Sequence, residues 1–439
     1  MKKSFLIIIF IIIINFVSAI TLKEAIDISL KENINYKKAE INKQISKINR
    51  NNSFLGLIPN FNYEVNYDET NDAYNKSYQI SQSIFYNGKE IFEFLSNYYS
   101  YKKANNNYKN AKKNVIIETI RKYLSILEKK ENVDLWRLEK QQSEKNYKRA
   151  KKMYEYGKIA KLDLLENENY FEYSRYKYEE AVNNYDLAKI DFQNYLNQGF
   201  DNIEDYSFKD VTLKEFDYYL DFARENSLDF KNLEYSLESS KNYLRASRMS
   251  KLPEINFFVQ KSYSGDSWDE TNEDYYTYGI DIDLSGWLYS TFGGSYNYTD
   301  YSDSYSGPYD ESKNYSANVD VLAGDHKTGS YLSSKIDYLN ARDNLKNKEL
   351  ELQKLVKTAY YEFKNSKNFY EMKKINMKAK EEKRRKTSKE YELGVIDASE
   401  KIEADKEYAQ AKIDLLTAKY NYYISWFNLL KIVGRDFKI

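Results

Sequence analysis

The residues that could carry chemistry are few. The 439-residue chain has one histidine, His326, and no cysteine, which excludes a histidine-rich metal site and a disulfide framework and leaves a single histidine for any triad. Carboxylates are plentiful, yet none stands in a recognisable acid–base pair with a pocket around it. No glycine-rich loop is spaced to cradle phosphate. The chain therefore reads as a non-enzyme with no catalytic residues, no metal and no cofactor, and any transport it serves must draw energy from partners. His326 is expected in a turn. Two positions stand out for structural chemistry instead: Gly157 and Gly394 each end a long helical run, where a left-handed cap is expected. Glu400 and Glu403, three residues apart, read at this level as charges on a solvated helix face.

The elements that must position these residues begin with an export signal. Lys2 and Lys3 precede an apolar run from Phe5 to Val17 that closes on Val17-Ser18-Ala19, a small-residue cleavage pattern. Residues 1–19 are expected to be removed, since the run is shorter than the roughly 20 residues that span a bilayer. Without a cysteine, no lipid can be attached at the new amino terminus. Lysine plus arginine (67) balance aspartate plus glutamate (67), which argues against nucleic acid as a partner. A mean hydropathy of −0.79 means that apolar residues must be buried along stripes rather than in several globular cores. The 46 tyrosines suit surfaces that are apolar at one end and wet at the other.

The chain repeats itself. Thr21-Leu22-Lys23-Glu24 returns as Thr212-Leu213-Lys214-Glu215, and Lys31-Glu32-Asn33 as Arg224-Glu225-Asn226, at an offset of 191 to 193. Further on, Leu57-Ile58-Pro59 matches Lys251-Leu252-Pro253, and Tyr156-Gly157 matches Leu393-Gly394. Each unit reads as helix, strands, very long helix, turn, helix. From Gly88 to Tyr156 no proline or interior glycine interrupts the chain, so a continuous helix of about 100 Å is expected at 1.5 Å per residue. Apolar residues within it recur at spacings of 3 and 4, as at Ile117, Ile120, Leu124 and Leu127, which is coiled-coil spacing.

The strands carry period two. Phe61, Tyr63, Val65 and Tyr67 alternate with Asn60, Asn62, Glu64 and Asn66. The same alternation recurs at Tyr276 to Leu284, Phe292 to Thr299 and Tyr315 to Val321. Alternation of this kind serves either a sheet packed on a soluble core or a membrane barrel around a watery lumen, apolar outward and polar inward. Trp268 and Trp287 lie near expected strand ends, where an interfacial aromatic belt or loop packing would use them.

In its ordered duplication the chain resembles the TolC family over essentially its whole mature length. The most characteristic stretches are Tyr156-Gly157-Lys158-Ile159-Ala160-Lys161-Leu162-Asp163-Leu164-Leu165 and Leu393-Gly394-Val395-Ile396-Asp397-Ala398-Ser399, which look like that family's paired hairpin tips. The resemblance implies a mixed fold: long α-helical coiled-coil hairpins forming a periplasmic α-barrel, antiparallel strands forming a transmembrane β-barrel, two structural repeats per chain, and a trimer. It implies an outer-membrane exit duct for a tripartite efflux pump or a type I secretion system, reaching into the periplasm. The implied partners are two further copies, a periplasmic adaptor protein, an inner-membrane pump through that adaptor, and outer-membrane lipid.

By position, the resemblance makes Asp163 and Tyr391 a closing contact at the tips and Glu400 and Glu403 an acidic, cation-favouring ring at the aperture. It makes Gly157, Lys158, Leu164, Gly394 and Val395 the adaptor-docking tips. Where relatives carry an arginine two positions after the second tip glycine, this chain has Ile396. A second departure is length: Pro253 to Gly324 spans 71 positions against 29 for Pro59 to Gly88, an excess of 42. Two strands are therefore expected from the first half and four, within 254–323, from the second, giving 18 in a trimer instead of the family's usual 12. The expected organisation is a first repeat over 20–198, a linker over 199–211 and a second repeat over 212–439. The competing reading is a non-channel trimeric coiled-coil stalk or adhesin-like surface protein.

Overall fold

The computed structural model describes residues 19–70, 72–84, 88–206, 211–252, 254–265, 273–283, 291–302, 311–320 and 326–436. The signal segment up to Ser18, Trp268, Trp287 and the loops around them lie outside the described residues. The elements follow in the order α1 (Leu22–Glu32), α2 (Ile34–Leu55), β1 (Asn60–Asp68), β2 (Ala73–Ile84), α3 (Lys89–Glu155), α4 (Lys161–Leu196), α5 (Phe216–Asn226), α6 (Leu228–Met249), β3 (Glu254–Gly265), β4 (Glu273–Asp283), β5 (Thr291–Ser302), β6 (Glu311–Asp320), α7 (His326–Glu392) and α8 (Ala398–Ile432). Helices of 11, 22, 67 and 36 residues in the first half are answered by 11, 22, 67 and 35 in the second. His326 corrects the expectation of a turn: it is the first residue of α7. A residue there needs no intrahelical partner for its N–H, so the first turn tolerates it.

The chain divides into two compact units. One comprises the described parts of residues 1–37, 110–227 and 353–439 and is helical, with α3 and α7 contributing their later portions. Its core gathers Ile120, Tyr123, Leu124 and Leu127 of α3, Phe192 and Leu196 of α4, Phe363 of α7 and Leu429 of α8, all essentially buried. The 3- and 4-residue spacing seen in the sequence is thus the buried face of α3. Tyr123 also ties the chain start to the segment after α4: its hydroxyl donates to the carbonyl oxygens of Ile20 (3.1 Å) and Glu204 (2.7 Å), across a parallel bridge between Ile20 and Ile203. Burial and the nearby Glu204 and Asp205 carboxylates push the Tyr123 phenol far up, keeping it a neutral donor.

The other unit comprises residues 38–109 and the described parts of 228–352. It holds a six-stranded antiparallel sheet in the order β1-β2-β3-β4-β5-β6, a meander in which every neighbour in sequence is a neighbour in space. The register sets Phe61 opposite Ile80, Ile80 opposite Val259 and Val259 opposite Tyr278. One residue along, Asn62, Gln79, Gln260 and Thr277 form the corresponding row. Because side chains alternate between faces, one face is aliphatic and aromatic and the other is a ladder of amides and hydroxyls. Phe61, Tyr63, Tyr78, Ile80 and Val259 are exposed, so no helix of the described chain covers the apolar face. The helices of this unit meet through small polar groups: the Ser239 hydroxyl lies 3.0 Å from that of Ser96 and 2.9 Å from that of Ser100, and the Asn232 amide donates to Asn107 at 2.7 Å.

Candidate functional site at the hairpin tips

Both long hairpins turn in the same way. Gly157 follows α3 at φ +67° and Gly394 follows α7 at φ +71°, a left-handed conformation that glycine adopts without a Cβ penalty. At the first tip the Lys158 N–H donates to the Met153 carbonyl and the Gly157 N–H to that of Tyr154, both at 2.8 Å. At the second, Val395 donates to Glu390 (2.9 Å) and Gly394 to Tyr391 (3.1 Å). These paired bonds form a Schellman cap, which satisfies carbonyls that the ending helix leaves free. Nothing lies within 4 Å of a Cβ built on either glycine, so backbone conformation alone requires glycine there. The return helices are capped by acids in complementary places. Asp163 of α4 accepts the N–H of Ala160, the residue before the helix, at 3.1 Å, and Asp397, the residue before α8, accepts the Glu400 N–H at 3.0 Å.

The structure brings Asp163 and Tyr391 into one neighbourhood. Tyr391 packs against a buried cluster of Tyr170, Ala398 and Ile402. Burial raises its phenol, the Asp163 carboxylate raises it further, and a hydrogen bond with Asn167 works the other way. Asn167 is held by donating to the Asp163 carbonyl at 2.8 Å. Glu400 and Glu403 are exposed on the free face of α8, opposite the buried Lys401, Ile402, Ala404 and Asp405. Lys158, Gly394 and Val395 are exposed at the turns, Leu164 is half-buried, and Tyr156, Leu162 and Leu393 add uncovered apolar surface beside them. A third acid, Glu166, joins Asp163 and Asp397: burial and then those two carboxylates raise it from the usual range.

Behind the tips lies a buried ionic clasp that no motif in the sequence marks. Asp405 of α8, 1% exposed, accepts from Arg384 Nε of α7 at 2.8 Å and from Lys401 Nζ at 2.5 Å. Arg384 also reaches Glu139 of α3 at 3.7 Å, and Glu139 accepts the Tyr170 hydroxyl of α4 at 2.7 Å. Four helices are joined through five side chains. Burial and the Glu139 carboxylate push the Tyr170 phenol far up, so it remains a donor at any ordinary pH. Above the clasp, α7 and α8 are zipped by Lys380 and Lys383 on Glu407 (2.8 and 2.7 Å) and by Lys373 on Asp414 (2.6 Å). Only the i, i+4 relation of Lys401 to Asp405 was open to a sequence reader, and it reads equally well as a surface pair.

Among the described residues there is no helix long and apolar enough to cross a membrane and no group of residues that could hold a metal ion. Two long capped hairpins joined in one chain to an amphipathic antiparallel meander define the fold class of the outer-membrane channels. The similarities bear this out. The structure is similar to the outer membrane channel CmeC of Campylobacter jejuni (16% identity, TM-score 0.69, covering 94% of this chain and 85% of that one). It is similar to the open state of the MtrE outer membrane channel of Neisseria gonorrhoeae (15% identity, TM-score 0.69, 94% and 89%). It is also similar to the outer membrane protein VceC of Vibrio cholerae (10% identity, TM-score 0.72, 95% and 97%). No curated protein matches the sequence. Residues 219–435 match the model of the outer membrane efflux protein family, and with the fold similarity extending over 94% of the chain, the resemblance to the TolC family is shown.

Proposed function

We propose that the chain is one protomer of a trimeric outer-membrane exit duct for an efflux pump or a type I secretion system. It is a passive conduit and not an enzyme. The observation that carries this reading is the six-stranded sheet, with an uncovered apolar face, a polar ladder behind it, and β1 and β6 as its outermost strands. In lipid, unpaired edge N–H and C=O groups cost several kcal/mol each, roughly, so the sheet must close. An even number of strands lets β6 of one copy lie antiparallel to β1 of the next, and three copies give 18 strands around one lumen. The polar ladder then lines water and the apolar face meets lipid.

The helices support assembly in the same way. No residue of α2 is buried, and Ile34, Ile41, Ile45 and Ile48 form an exposed stripe at spacings built from 3 and 4. Leu187 and Ile190 of α4 and Phe369, Met372 and Ile375 of α7 continue the pattern. Such stripes are the seams that neighbouring staves of an α-barrel cover. The matched helix lengths of the two halves fit two structural repeats supplying equivalent staves.

At the periplasmic end, Asp163 and Tyr391 form the closing contact and three copies of Glu400 and Glu403 ring the aperture. The exposed apolar tips around Gly157, Lys158, Leu164, Gly394 and Val395 receive a periplasmic adaptor, which links the duct to an inner-membrane pump. With Ile396 where relatives have arginine, the clasp through Arg384 and Asp405 takes over part of the work of holding the hairpins together. The test is conductance in planar bilayers. The wild-type trimer should conduct weakly and favour cations, and Glu400→Gln with Glu403→Gln should reduce that preference severalfold. A protein that never conducts would refute the duct.

A further inference from the structure

Phe258 interrupts the polar face of the sheet. Its row runs from Asn60 of β1 through Ser81 of β2, so an aromatic ring stands where alternation calls for an amide or a hydroxyl. The rows on either side hold Gln79 of β2 and the facing pair Asn256 of β3 and Asp281 of β4. These six residues line one recess of about 670 Å3, whose other wall is the turn between α2 and β1. That volume lies within the roughly 300–1,000 Å3 of small-molecule sites.

The lining suits a neutral ligand rich in hydroxyl groups. Asn60, Gln79 and Asn256 each offer an amide that both donates and accepts, and Ser81 adds a hydroxyl. The side chains of Asn60, Gln79, Ser81 and Asp281 make no hydrogen bond to any other described residue, so their capacity is open to an occupant. No lysine, arginine or histidine is among the described residues lining the recess, and Asp281 is the one charged group there. A phosphorylated or carboxylated ligand would find no counter-charge and one repelling carboxylate. A small organic cation would engage Asp281 and the Phe258 ring but leave the amides unused. A sugar ring matches the whole set: the hydroxyls around its edge pair with amides, serine and carboxylate, while the C–H bonds of its flat side meet the electron-rich face of the Phe258 ring.

We propose that this recess binds a neutral oligosaccharide, with one sugar ring stacked on Phe258, and that saccharides or glycosylated compounds are a class of solute the duct carries. The second half of this inference rests on the duct reading, in which the polar face lines the lumen and three copies of the recess face one passage. The binding chemistry does not depend on it. Phe258, Gln79, Ser81, Asn256 and Asp281 are half-buried and Asn60 is exposed, so water competes for every polar group and binding is weak. Weak binding is what transit requires, because a solute must enter such a site readily and leave it again.

The test titrates the full trimer, held in a polyoxyethylene detergent that carries no sugar, with maltotriose and with triacetylchitotriose in a calorimeter. At least one should bind with a dissociation constant of roughly 10 mM or tighter, and triethylene glycol and choline at least about tenfold more weakly. Phe258→Leu keeps apolar bulk but removes the ring, and should weaken binding at least about fivefold, close to 1 kcal/mol. Phe258→Tyr should retain binding, and Phe257→Leu, the adjacent residue on the apolar face, should leave it unchanged within about twofold. In planar bilayers the trisaccharide should lower the current of the wild-type trimer and not that of Phe258→Leu. The proposal is overturned if neither trisaccharide binds, if choline binds as well as the sugars, or if the two leucine variants behave alike. Binding without any drop in current would overturn the role in transit. A trimer that conducts yet binds neither sugar loses the saccharide site and keeps the duct, whereas one that binds them and never conducts keeps the site and loses the duct.

Discussion

Val259 is the residue whose replacement tests the membrane reading most directly. It is 46% exposed and sits in a cross-strand row with Ile80 and Tyr278. Along β3 the same face carries Ile255, Phe257, Val259, Lys261 and Tyr263, so Val259 lies four residues, about 14 Å of strand, from each end of that span. An arginine at the middle of a lipid-facing band costs about 2–4 kcal/mol per copy, against about 0–1 near the interfaces. In a closed trimer the change is made three times, about 6–12 kcal/mol in all, comparable to the whole stability margin of a typical domain. Val259→Arg should therefore fail to refold into lipid vesicles, or should do so with a large drop in its urea midpoint. Tyr263→Arg, at the aromatic end, should cost far less. Gln260→Arg, the next residue along but on the polar ladder, should be close to neutral. Equal penalties for Val259→Arg and Gln260→Arg would refute the assignment of faces, and with it the barrel.

Other consequences follow from the caps, the clasp and the acids. Gly157→Ala and Gly394→Ala should each cost about 1 kcal/mol in urea unfolding, from the left-handed backbone alone. Gly434→Ala should cost clearly more, because a Cβ there would lie 2.3 Å from the Asn226 carbonyl oxygen at a φ of +80°. Asp405→Ala strands one buried and one partly buried cation, Lys401 and Arg384, and should lose about 3–5 kcal/mol, while the joint change Arg384→Met, Asp405→Leu should recover much of it. Glu166 has a raised native pKa, so the folded tip binds more protons than the unfolded chain and loses stability as pH climbs through that value. Glu166→Gln should accordingly slow amide exchange around Leu164 near neutral pH and have little effect near the acid end. Glu407 is the opposite case: hydrogen bonds from Lys380 and then Lys383 lower it, so its contribution is present above the ordinary carboxylate pKa and disappears as pH falls through the lowered one.

The element types were legible because they rest on local rules. Alternation at Phe61 to Tyr67 is β1, the uninterrupted stretch after Gly88 is α3, and the glycines that end the long runs are the left-handed caps. Strands β2 and β3 were harder to read, since Lys76 and Lys261 occupy the apolar face and Phe258 the polar one, breaking period two. Aromatic neighbours make Lys261 tolerable: it lies 4.8 Å from the ring centres of both Tyr263, two residues along the same strand, and Tyr276, its cross-strand partner.

Sequence by itself determined the order of helices and strands, its repetition in the two halves, and the limit that one histidine and no cysteine set on the available chemistry. Those features depend on periodicity, on where glycine and proline fall, and on which residue types exist in the chain at all. Only the tertiary structure decided which charges are buried. Glu400, Glu403 and Asp405 lie within six residues of one another, yet the first two face outward and the third is enclosed by Arg384 and Lys401. Neither composition nor spacing separates them, because a helix presents its faces by rotation, and what covers a face is supplied by other segments: Arg384 of α7 meets Asp405, and Glu139 of α3 in turn meets Arg384.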